Sequence, residues 1–261
     1  MVRRYSSGAR PAGAVGMPAL QASLLDLPGS WPARDATLRD MAPLGKAADT
    51  GEGEASAGQR TGASQWPIPQ PNAPSLSRTQ LAHGAWFDLQ RHWLAGSDDL
   101  FQELIQRVPW QAERRRMYHR AVDTPRLLCF YAAGEALPHP ALTTVRGWLD
   151  GHYRAELGER FATAGLCYYR DGQDSVAWHG DRIGRGGTQD TMVAILSLGA
   201  ARKLMLRPRG GGSDTLTLWL GHGDLFVMGG SCQRTWEHAV PKTARPVGPR
   251  ISVQFRPDGV R

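Results

Sequence analysis

Two histidines and one aspartate have the residue types and spacing of a metal site. His179 and Asp181 are separated by one residue, and because side chains alternate along a β-strand, both would lie on the same face of a strand. His238 follows 57 residues after Asp181, on a later strand candidate. Two histidines and a carboxylate that leave coordination positions open are typical of non-haem Fe(II) oxygenases, and zinc is the alternative metal.

The same pair of residue types recurs at His222 and Asp224, with Gly221 and Gly223 beside them. Glycine and aspartate are common in turns. We therefore expect the second pair to form a turn and the first pair to bind the metal. Taken singly, each histidine could also be an ordinary core or surface residue.

The C-terminal segment 250–256 alternates between apolar and polar side chains, as a strand with one buried face does. One side carries Ile251, Val253 and Phe255, and the other carries Arg250, Ser252 and Arg256. Two guanidinium groups that point inward require an anion, and a dicarboxylate beside the metal would bind both. An edge strand with solvated arginines is the alternative.

The first half of the folded region predicts helices. Trp86, Leu89 and Trp93, and then the apolar residues of 100–108, show the spacing of two short helices that end at Pro109. Segment 138–157 predicts a further helix with one apolar stripe.

The second half predicts short strands separated by Gly, Pro and Asp turns. They span 166–170, 192–198, 203–207, 215–220, 225–228 and 251–255. The fold class is therefore α+β, mainly β: a sandwich or jelly roll with the N-terminal helices packed on one sheet.

The composition of residues 1–76 predicts a low-complexity, disordered tail. Residues 77–261 are predicted to form the folded domain. Fifteen of the twenty-five positions from 51 to 75 are Gly, Ala, Ser or Pro, a composition typical of linkers. Nothing functional is assigned to the tail.

Composition narrows the class of protein further. No apolar run approaches the roughly 18 residues of a membrane span, and three cysteines provide neither a disulfide framework nor a CxxC zinc site. We expect a monomer in the reducing cytoplasm, without membrane contact. The net charge of +7 is compatible with nucleic acid or another anionic partner.

Several segments together resemble the AlkB-type Fe(II)/2-oxoglutarate dioxygenases. In chain order they are 166–181, which contains the first His-Gly-Asp, then 195–199, 221–225, 236–238 and 249–256. Segments 108–110 and 124–127 are similar to the nucleotide-recognition region of that family. The resemblance covers roughly 100–256, and the order and spacing of the motifs match throughout.

This resemblance implies a double-stranded β-helix in which His179, Asp181 and His238 bind Fe(II). It also implies a set of residues that hold the co-substrate 2-oxoglutarate, with O2 as the second co-substrate. They are Tyr169, Arg250, Ser252 and Arg256. Arg250, assisted by Tyr169, would bind the distal carboxylate, and Arg256 would lie nearer the metal.

Two departures from the family pattern concern the cofactor and the substrate. Cys167 stands where the family usually has Asn, and would border the 2-oxoglutarate pocket either as a small buried filler or in a redox or ligand role. Arg182 and Ile183 stand where base-repair members commonly have acidic residues, which leaves the identity of the base open.

The substrate residues implied by the resemblance lie near the pocket lid. Arg126, Phe130 and Tyr131 fall in that region, where an aromatic ring could stack on a flipped base; core packing of both aromatic residues is the alternative. Arg182 and the stretch Arg114 to Arg116 could contact phosphates, and a solvated face explains that stretch equally well.

The resulting hypothesis is oxidative dealkylation of N-alkylated nucleobases such as 1-methyladenine and 3-methylcytosine in DNA, with release of formaldehyde, CO2 and succinate. One alternative keeps this chemistry and changes the substrate to RNA, protein or a small molecule. Another is a non-catalytic, nucleic-acid-binding jelly roll.

Overall fold

The computed structural model describes residues 71, 75–117, 120–211 and 214–260, with 114–123 at the level of the backbone. The predicted tail, 1–76, lies almost entirely outside these ranges. Within them the elements follow in the order β1 (Ser77–Gln80), β2 (Ala85–Gln90), α1 (Ser97–Arg107), β3 (Gln111–Met117), β4 (Arg120–Tyr131), α2 (Pro140–Leu157), β5 (Thr163–Tyr169), β6 (Val176–His179), β7 (Val193–Gly199), β8 (Arg202–Pro208), β9 (Leu216–Leu220), β10 (Asp224–Gly230), α3 (Cys232–Thr235), β11 (Trp236–Val240) and β12 (Arg250–Arg256).

Two antiparallel sheets face each other across an apolar interior. The larger sheet has the order β1-β2-β10-β7-β12-β5-β4-β3, and the smaller sheet has the order β6-β11-β8-β9. Phe87, Ile195 and Phe226 from the larger sheet join Leu204 and Leu206 from the smaller sheet in one buried cluster. This arrangement confirms the predicted jelly roll, and the site lies between its two sheets.

Helices α1 and α2 cover the outer face of the larger sheet, as predicted. Leu104 of α1 and Leu149 of α2 are in the same buried cluster as Leu196 of β7 and Phe255 of β12. Helix α2 ends where Gly158 takes a φ of 78°, a left-handed conformation in which glycine is favoured at helix ends. No helix in the described part of the chain is long and apolar enough to cross a membrane.

The helix predicted around Trp86 and Leu89 is wrong, because these residues belong to strand β2. This strand lies between β1 and β10, and both of its faces are covered. Trp86 packs into the cluster beneath the helices and Phe87 into the interior cluster. A strand buried on both sides has consecutive apolar residues and loses the two-residue alternation that marks a strand.

The hairpin of β3 and β4 had no counterpart among the predicted strands. The two strands pair with a register shift between Ala112 and Arg114, and β4 joins the larger sheet through β5. The basic stretch from Arg114 to Arg116 lies on β3, but its side chains are outside the described residues.

Candidate metal and cofactor site

The structure brings His179, Asp181 and His238 together at one end of the smaller sheet. His179 is the last residue of β6 and pairs directly with His238 on β11. One possible ligand atom from each of the three residues lies within 4.8 Å of the others, and all three residues are at most 7% exposed. Asp181 lies two residues beyond the end of β6, so the chain turns to bring its carboxylate back toward the histidines.

Hydrogen bonding and burial prepare both histidines to donate a lone pair. The Nδ1 atom of His179 lies 2.8 Å from the carbonyl oxygen of Ala177. Because a carbonyl only accepts, Nδ1 carries the proton and Nε2 keeps its lone pair. Burial lowers the pKa of His238 to about 3, with a further contribution from His179. His238 is therefore neutral near pH 7.

The carboxylate of Asp181 has one occupied and one open oxygen. Oδ2 accepts a 2.7 Å hydrogen bond from Nε of Arg256, whereas Oδ1 is buried with no hydrogen-bond partner in the described part of the chain. Burial by itself would raise the pKa of Asp181, but the adjacent Arg256 guanidinium, with smaller contributions from His238 and His179, holds it below its usual value. An ionised, unpartnered oxygen beside two imidazoles is a group that a divalent cation would satisfy.

The backbone around Asp181 is fixed by close packing against the segment before β11. A Cβ atom on Gly180 would lie 2.4 Å from the carbonyl oxygen of Gln233, so only glycine fits between the two ligands. The side chain of Gln233 accepts a 3.0 Å hydrogen bond from the Asp181 N–H. Both contacts hold the carboxylate at the end of β6.

Next to the triad, a cavity between the sheets is lined by side chains from β5, β7 and β12, among them Tyr169 and Arg250. Arg250 is 2% exposed, and its Nε donates to Oγ of Ser197 at 3.0 Å. Its Nη1 is buried without a hydrogen-bond partner among the described residues. A buried guanidinium with an unused donor favours an anionic ligand.

Tyr169 completes the end of the cavity at which Arg250 lies. The Cζ atom of Arg250 is 5.3 Å from the Tyr169 ring centroid, and the two residues are direct partners across β12 and β5. Burial raises the pKa of the Tyr169 phenol, and Cys167 acts in the same direction. Tyr169 therefore stays neutral and can donate a hydrogen bond, so this end of the cavity matches a carboxylate.

The other end of the cavity is polar and adjoins the metal triad. It is lined by Cys167, Ser252, Gln254 and Arg256. Arg256 joins this end to the metal site, because its Nε binds Asp181 and its Nη2 donates to Oε1 of Gln254 at 3.1 Å. The alternation predicted for 250–256 is confirmed, since Ile251, Val253 and Phe255 face the helices and are fully buried.

The residues predicted to contact substrate have different placements. Arg126 and Phe130 line the cavity, and the Nε of Arg126 is buried without a partner in the described residues. Tyr131 is 2% exposed and belongs to the cluster beneath the helices, so it does not face the cavity. For Tyr131 the alternative interpretation, packing in the core, is therefore the correct one. Arg182 is half-buried directly after Asp181.

Three residues of the site were not singled out from the sequence. Ser197 is the one polar residue in the strand core 193–198, a signal that could have identified it. Gln254 lies on the polar face of β12, so the same alternation that selected Arg250 and Ser252 also included it. Gln233 reaches the Asp181 N–H because the segment before β11 lies against the end of β6. No sequence pattern indicated that contact.

The fold and the site define a class: a jelly-roll oxygenase that uses Fe(II) and 2-oxoglutarate. Residues 134–256 match the family described as the 2OG-Fe(II) oxygenase superfamily. The chain is similar to DNA oxidative demethylase ALKBH2 of Arabidopsis thaliana, with 29% identity in an alignment of 226 residues. The alignment covers 71% of this chain and 70% of that protein.

Two further relatives extend the comparison. Alpha-ketoglutarate-dependent dioxygenase alkB homolog 3 of Bos taurus is 31% identical over 201 residues, 69% of this chain and 66% of that protein. Uncharacterized protein R406 of Acanthamoeba polyphaga mimivirus is 35% identical over 174 residues, 62% of this chain and 88% of that protein. The chain belongs to the AlkB-type 2-oxoglutarate- and Fe(II)-dependent dioxygenases.

The residues present fit both groups that this chemistry requires. His179, Asp181 and His238 would hold Fe(II), and the donors at the two ends of the cavity would hold the two carboxylates of 2-oxoglutarate. When bound together, Fe(II) and 2-oxoglutarate use O2 to oxidise a substrate C–H bond, with formation of succinate and CO2.

Proposed function

We propose that the protein removes methyl groups from the ring nitrogens of nucleobases such as 1-methyladenine and 3-methylcytosine in DNA. One oxygen atom of O2 enters succinate and the other converts the N-methyl group to N-hydroxymethyl. The hydroxymethyl group then leaves as formaldehyde, and the ring nitrogen is restored. We also propose that a monomer carries out this reaction, which light scattering would test.

The observation that carries this proposal is the extent of the similarity to a DNA oxidative demethylase. The family model covers 134–256, whereas the similarity to the plant protein includes 71% of the chain. Residues 134–261 make up less than half of the chain. The similarity over 71% of the chain therefore includes part of the region before residue 134. This region contains the hairpin of β3 and β4, and β4 carries Arg126 and Phe130 to the cavity.

The cavity itself supports a nucleobase as the substrate. Phe130 offers an aromatic ring on which a base can stack, and stacking of this kind tolerates different bases. Arg126 offers a buried guanidinium whose Nε has no hydrogen-bond partner within the described ranges, which suits a carbonyl oxygen or a phosphate. The net charge of +7 favours association with a polyanion.

The roles of the site residues follow from their positions. We assign Fe(II) binding to His179, Asp181 and His238. The 2-oxoglutarate site is assigned to four side chains that line the cavity, which are Tyr169, Arg250, Ser252 and Arg256. Arg126 and Phe130 contact the base, and Arg182 contacts the nucleic acid beside the metal.

The residues after Asp181 predict loose selectivity among methylated bases. Ile183 cannot accept a hydrogen bond from an exocyclic amine, so the pocket would discriminate by shape and stacking. Phosphate contacts from arginines would add affinity that does not depend on sequence and that falls steeply with salt.

The test is mass spectrometry of matched oligonucleotides carrying 1-methyladenine or 3-methylcytosine, incubated with protein, Fe(II), 2-oxoglutarate and ascorbate. Single- and double-stranded forms are compared at two ionic strengths, with RNA oligonucleotides as the contrast. We expect demethylation of both bases at comparable rates, with strong inhibition by salt. Succinate without formaldehyde from any oligonucleotide would instead indicate a protein or small-molecule substrate, and absence of both would indicate a binding protein.

A further inference from the structure

Gln254 lies at the junction between the cofactor cavity and the metal site. It occupies the polar face of β12, with Ser252 two residues before it and Arg256 two residues after it. Its register partner on β5 is Gly165. A Cβ atom at Gly165 would lie 3.0 Å from Nη1 of Arg256 and 3.5 Å from Oε1 of Gln254, so the strand opposite leaves room for both side chains.

The hydrogen bonds of Gln254 fix the orientation of its amide. Arginine only donates, so the 3.1 Å contact with Nη2 of Arg256 must be made by Oε1 of Gln254. Nε2 then faces the other way, where it donates to Oγ of Ser252 at 3.0 Å and to Sγ of Cys167 at 3.5 Å. A flipped amide would place two donors against Arg256 and lose these contacts.

This orientation determines what Ser252 can do. Its Oγ accepts from Gln254, so the hydroxyl proton remains available to donate to another acceptor. Ser252 lines the cavity and is 3% exposed. The hydroxyl is thereby set as a donor toward the cavity, which suits a carboxylate.

The same amide restrains Arg256. Nε of Arg256 is held by Asp181, and a guanidinium with this single contact could still turn about it. The second contact, from Nη2 to Gln254, together with a 3.5 Å contact from Nη1 to the carbonyl oxygen of Gln254, fixes its plane. The cost of ordering a long side chain is then met before the ligand binds.

We propose that Gln254 is a positioning residue for 2-oxoglutarate: its amide orients the Ser252 hydroxyl and the Arg256 guanidinium as donors toward the cofactor carboxylate. Gln254 acts through these two residues, and Cys167 supports it as a weak acceptor. The inference concerns the cofactor site and does not depend on the nucleobase substrate proposed above.

The test measures cofactor binding without turnover or nucleic acid. The full chain is loaded with Mn(II) in place of Fe(II) and titrated with 2-oxoglutarate in a calorimeter. Gln254→Leu removes the amide at similar size, and the matched control is Gln106→Leu, at an exposed position of α1. We expect Gln254→Leu to weaken 2-oxoglutarate binding at least about five-fold, roughly the loss of one ordinary hydrogen bond, and Gln106→Leu to leave it unchanged.

A double-mutant cycle separates positioning from direct contact or general damage. In a Ser252→Ala background, where one of the oriented donors is already absent, Gln254→Leu should cost less than in the wild type, with a coupling of at least about three-fold. Equal losses in both backgrounds would overturn the proposal, as would an unchanged affinity in Gln254→Leu. Mn(II) affinity should stay within two-fold, roughly the level of no effect, because all three ligands remain.

Gln254→Asn gives an independent reading if the leucine variant folds poorly. It retains a polar amide at a half-buried position but is one methylene too short to reach Arg256 while it bonds Ser252. We expect a loss of 2-oxoglutarate affinity in the same direction as for Gln254→Leu. Wild-type affinity in this variant would contradict the proposal.

Discussion

The tripeptide His-Gly-Asp occurs twice in this chain and has two different structural roles. At 179–181 it ends strand β6, and both its side chains meet His238. At 222–224 it forms the turn between β9 and β10, where Nδ1 of His222 accepts a 2.8 Å hydrogen bond from the N–H of Gly199. Identical residues at identical spacing therefore specify a metal site only when a third ligand faces them.

The two aspartates show this difference most directly. Asp224 uses both carboxylate oxygens: Oδ1 accepts from the N–H of His92 at 2.9 Å, and Oδ2 accepts from Arg91 at 2.6 Å and from the N–H of Gly221 at 2.8 Å. Asp181 leaves Oδ1 without a hydrogen-bond partner among the described residues. A satisfied carboxylate stabilises a turn, whereas an open one is available to a cation.

The central glycines are required for different reasons. Gly223 has a φ of 73°, a left-handed conformation that favours glycine. At Gly180 the limit is contact with the Gln233 carbonyl and not backbone conformation. The two copies of the motif therefore require glycine at the central position for different physical reasons.

The largest expected effect comes from the first copy and its partner. His179→Ala, Asp181→Ala and His238→Ala should each abolish Fe(II) binding and 2-oxoglutarate turnover, since two protein ligands are too few to hold the ion. His222→Ala should retain both. Calorimetric Mn(II) titration and succinate measurement test this, and a requirement for His222 together with a dispensable His179 would reverse the assignment.

Arg250→Lys tests the cofactor end while both tripeptides stay intact. Lysine keeps the charge but loses the planar fork that binds a carboxylate in two places. We expect 2-oxoglutarate affinity to fall by a factor corresponding to about 1.5 to 3 kcal/mol, with Mn(II) affinity unchanged. An unaltered 2-oxoglutarate affinity would place the distal carboxylate elsewhere.

Asp224→Ala tests the turn copy through stability. Its removal leaves donors of Arg91, His92 and Gly221 without their buried acceptor, and because water can reach Arg91 and His92 we expect the free energy of unfolding to fall by about 1 to 3 kcal/mol. Urea denaturation measures the loss, and Mn(II) binding by the folded variant should be normal. A variant that is stable but does not bind metal would contradict this division of roles.

The last prediction concerns the stability of the metal-free protein in acid. Burial holds the pKa of His238 at about 3, below its value of about 6.5 in an unfolded chain. The unfolded state therefore takes up this proton first, so stability present above pH 6.5 is lost as the pH falls, by up to about 1.4 kcal/mol per pH unit.

The control for this pH dependence is the second copy of the motif. His238→Gln should remove most of the slope between about pH 6 and pH 4, and His222→Gln should keep it. The lowered pKa of Asp181 also makes stability fall with pH, but only below about pH 3.8, where an unfolded aspartate takes up its proton. A slope that is unchanged in His238→Gln would show that another group titrates.

The two histidine ligands and the cofactor arginines were predictable because they lie in regular structure. Alternation along β12 placed Arg250 and Arg256 on one face, and this face lines the cavity. The strand argument for the first pair was only half correct, because His179 is in β6 and Asp181 lies beyond it. The Asp181 carboxylate reaches the two histidines because Gly180 packs against Gln233. This is a contact between distant segments, and no local sequence pattern encodes it.

The errors and omissions have the same origin. Trp86 and Phe87 point to opposite sides of β2 and are both buried, so local periodicity favoured a helix where the sheet required a strand. Tyr131 follows Phe130 on β4 and turns to the other face, so two adjacent aromatic residues could not both line the cavity. Which face is inner depends on the pairing of whole strands, and this is a non-local property.

The direct pairing of His179 with His238 also bears on how the chain folds. The two residues are 59 positions apart, and ladders between distant segments form late and slowly. An unfolded chain therefore offers the ion no assembled site, and the metal cannot guide the early steps of folding. Metal should raise the melting temperature by mass action and slow unfolding, while the refolding rate stays the same with or without the ion.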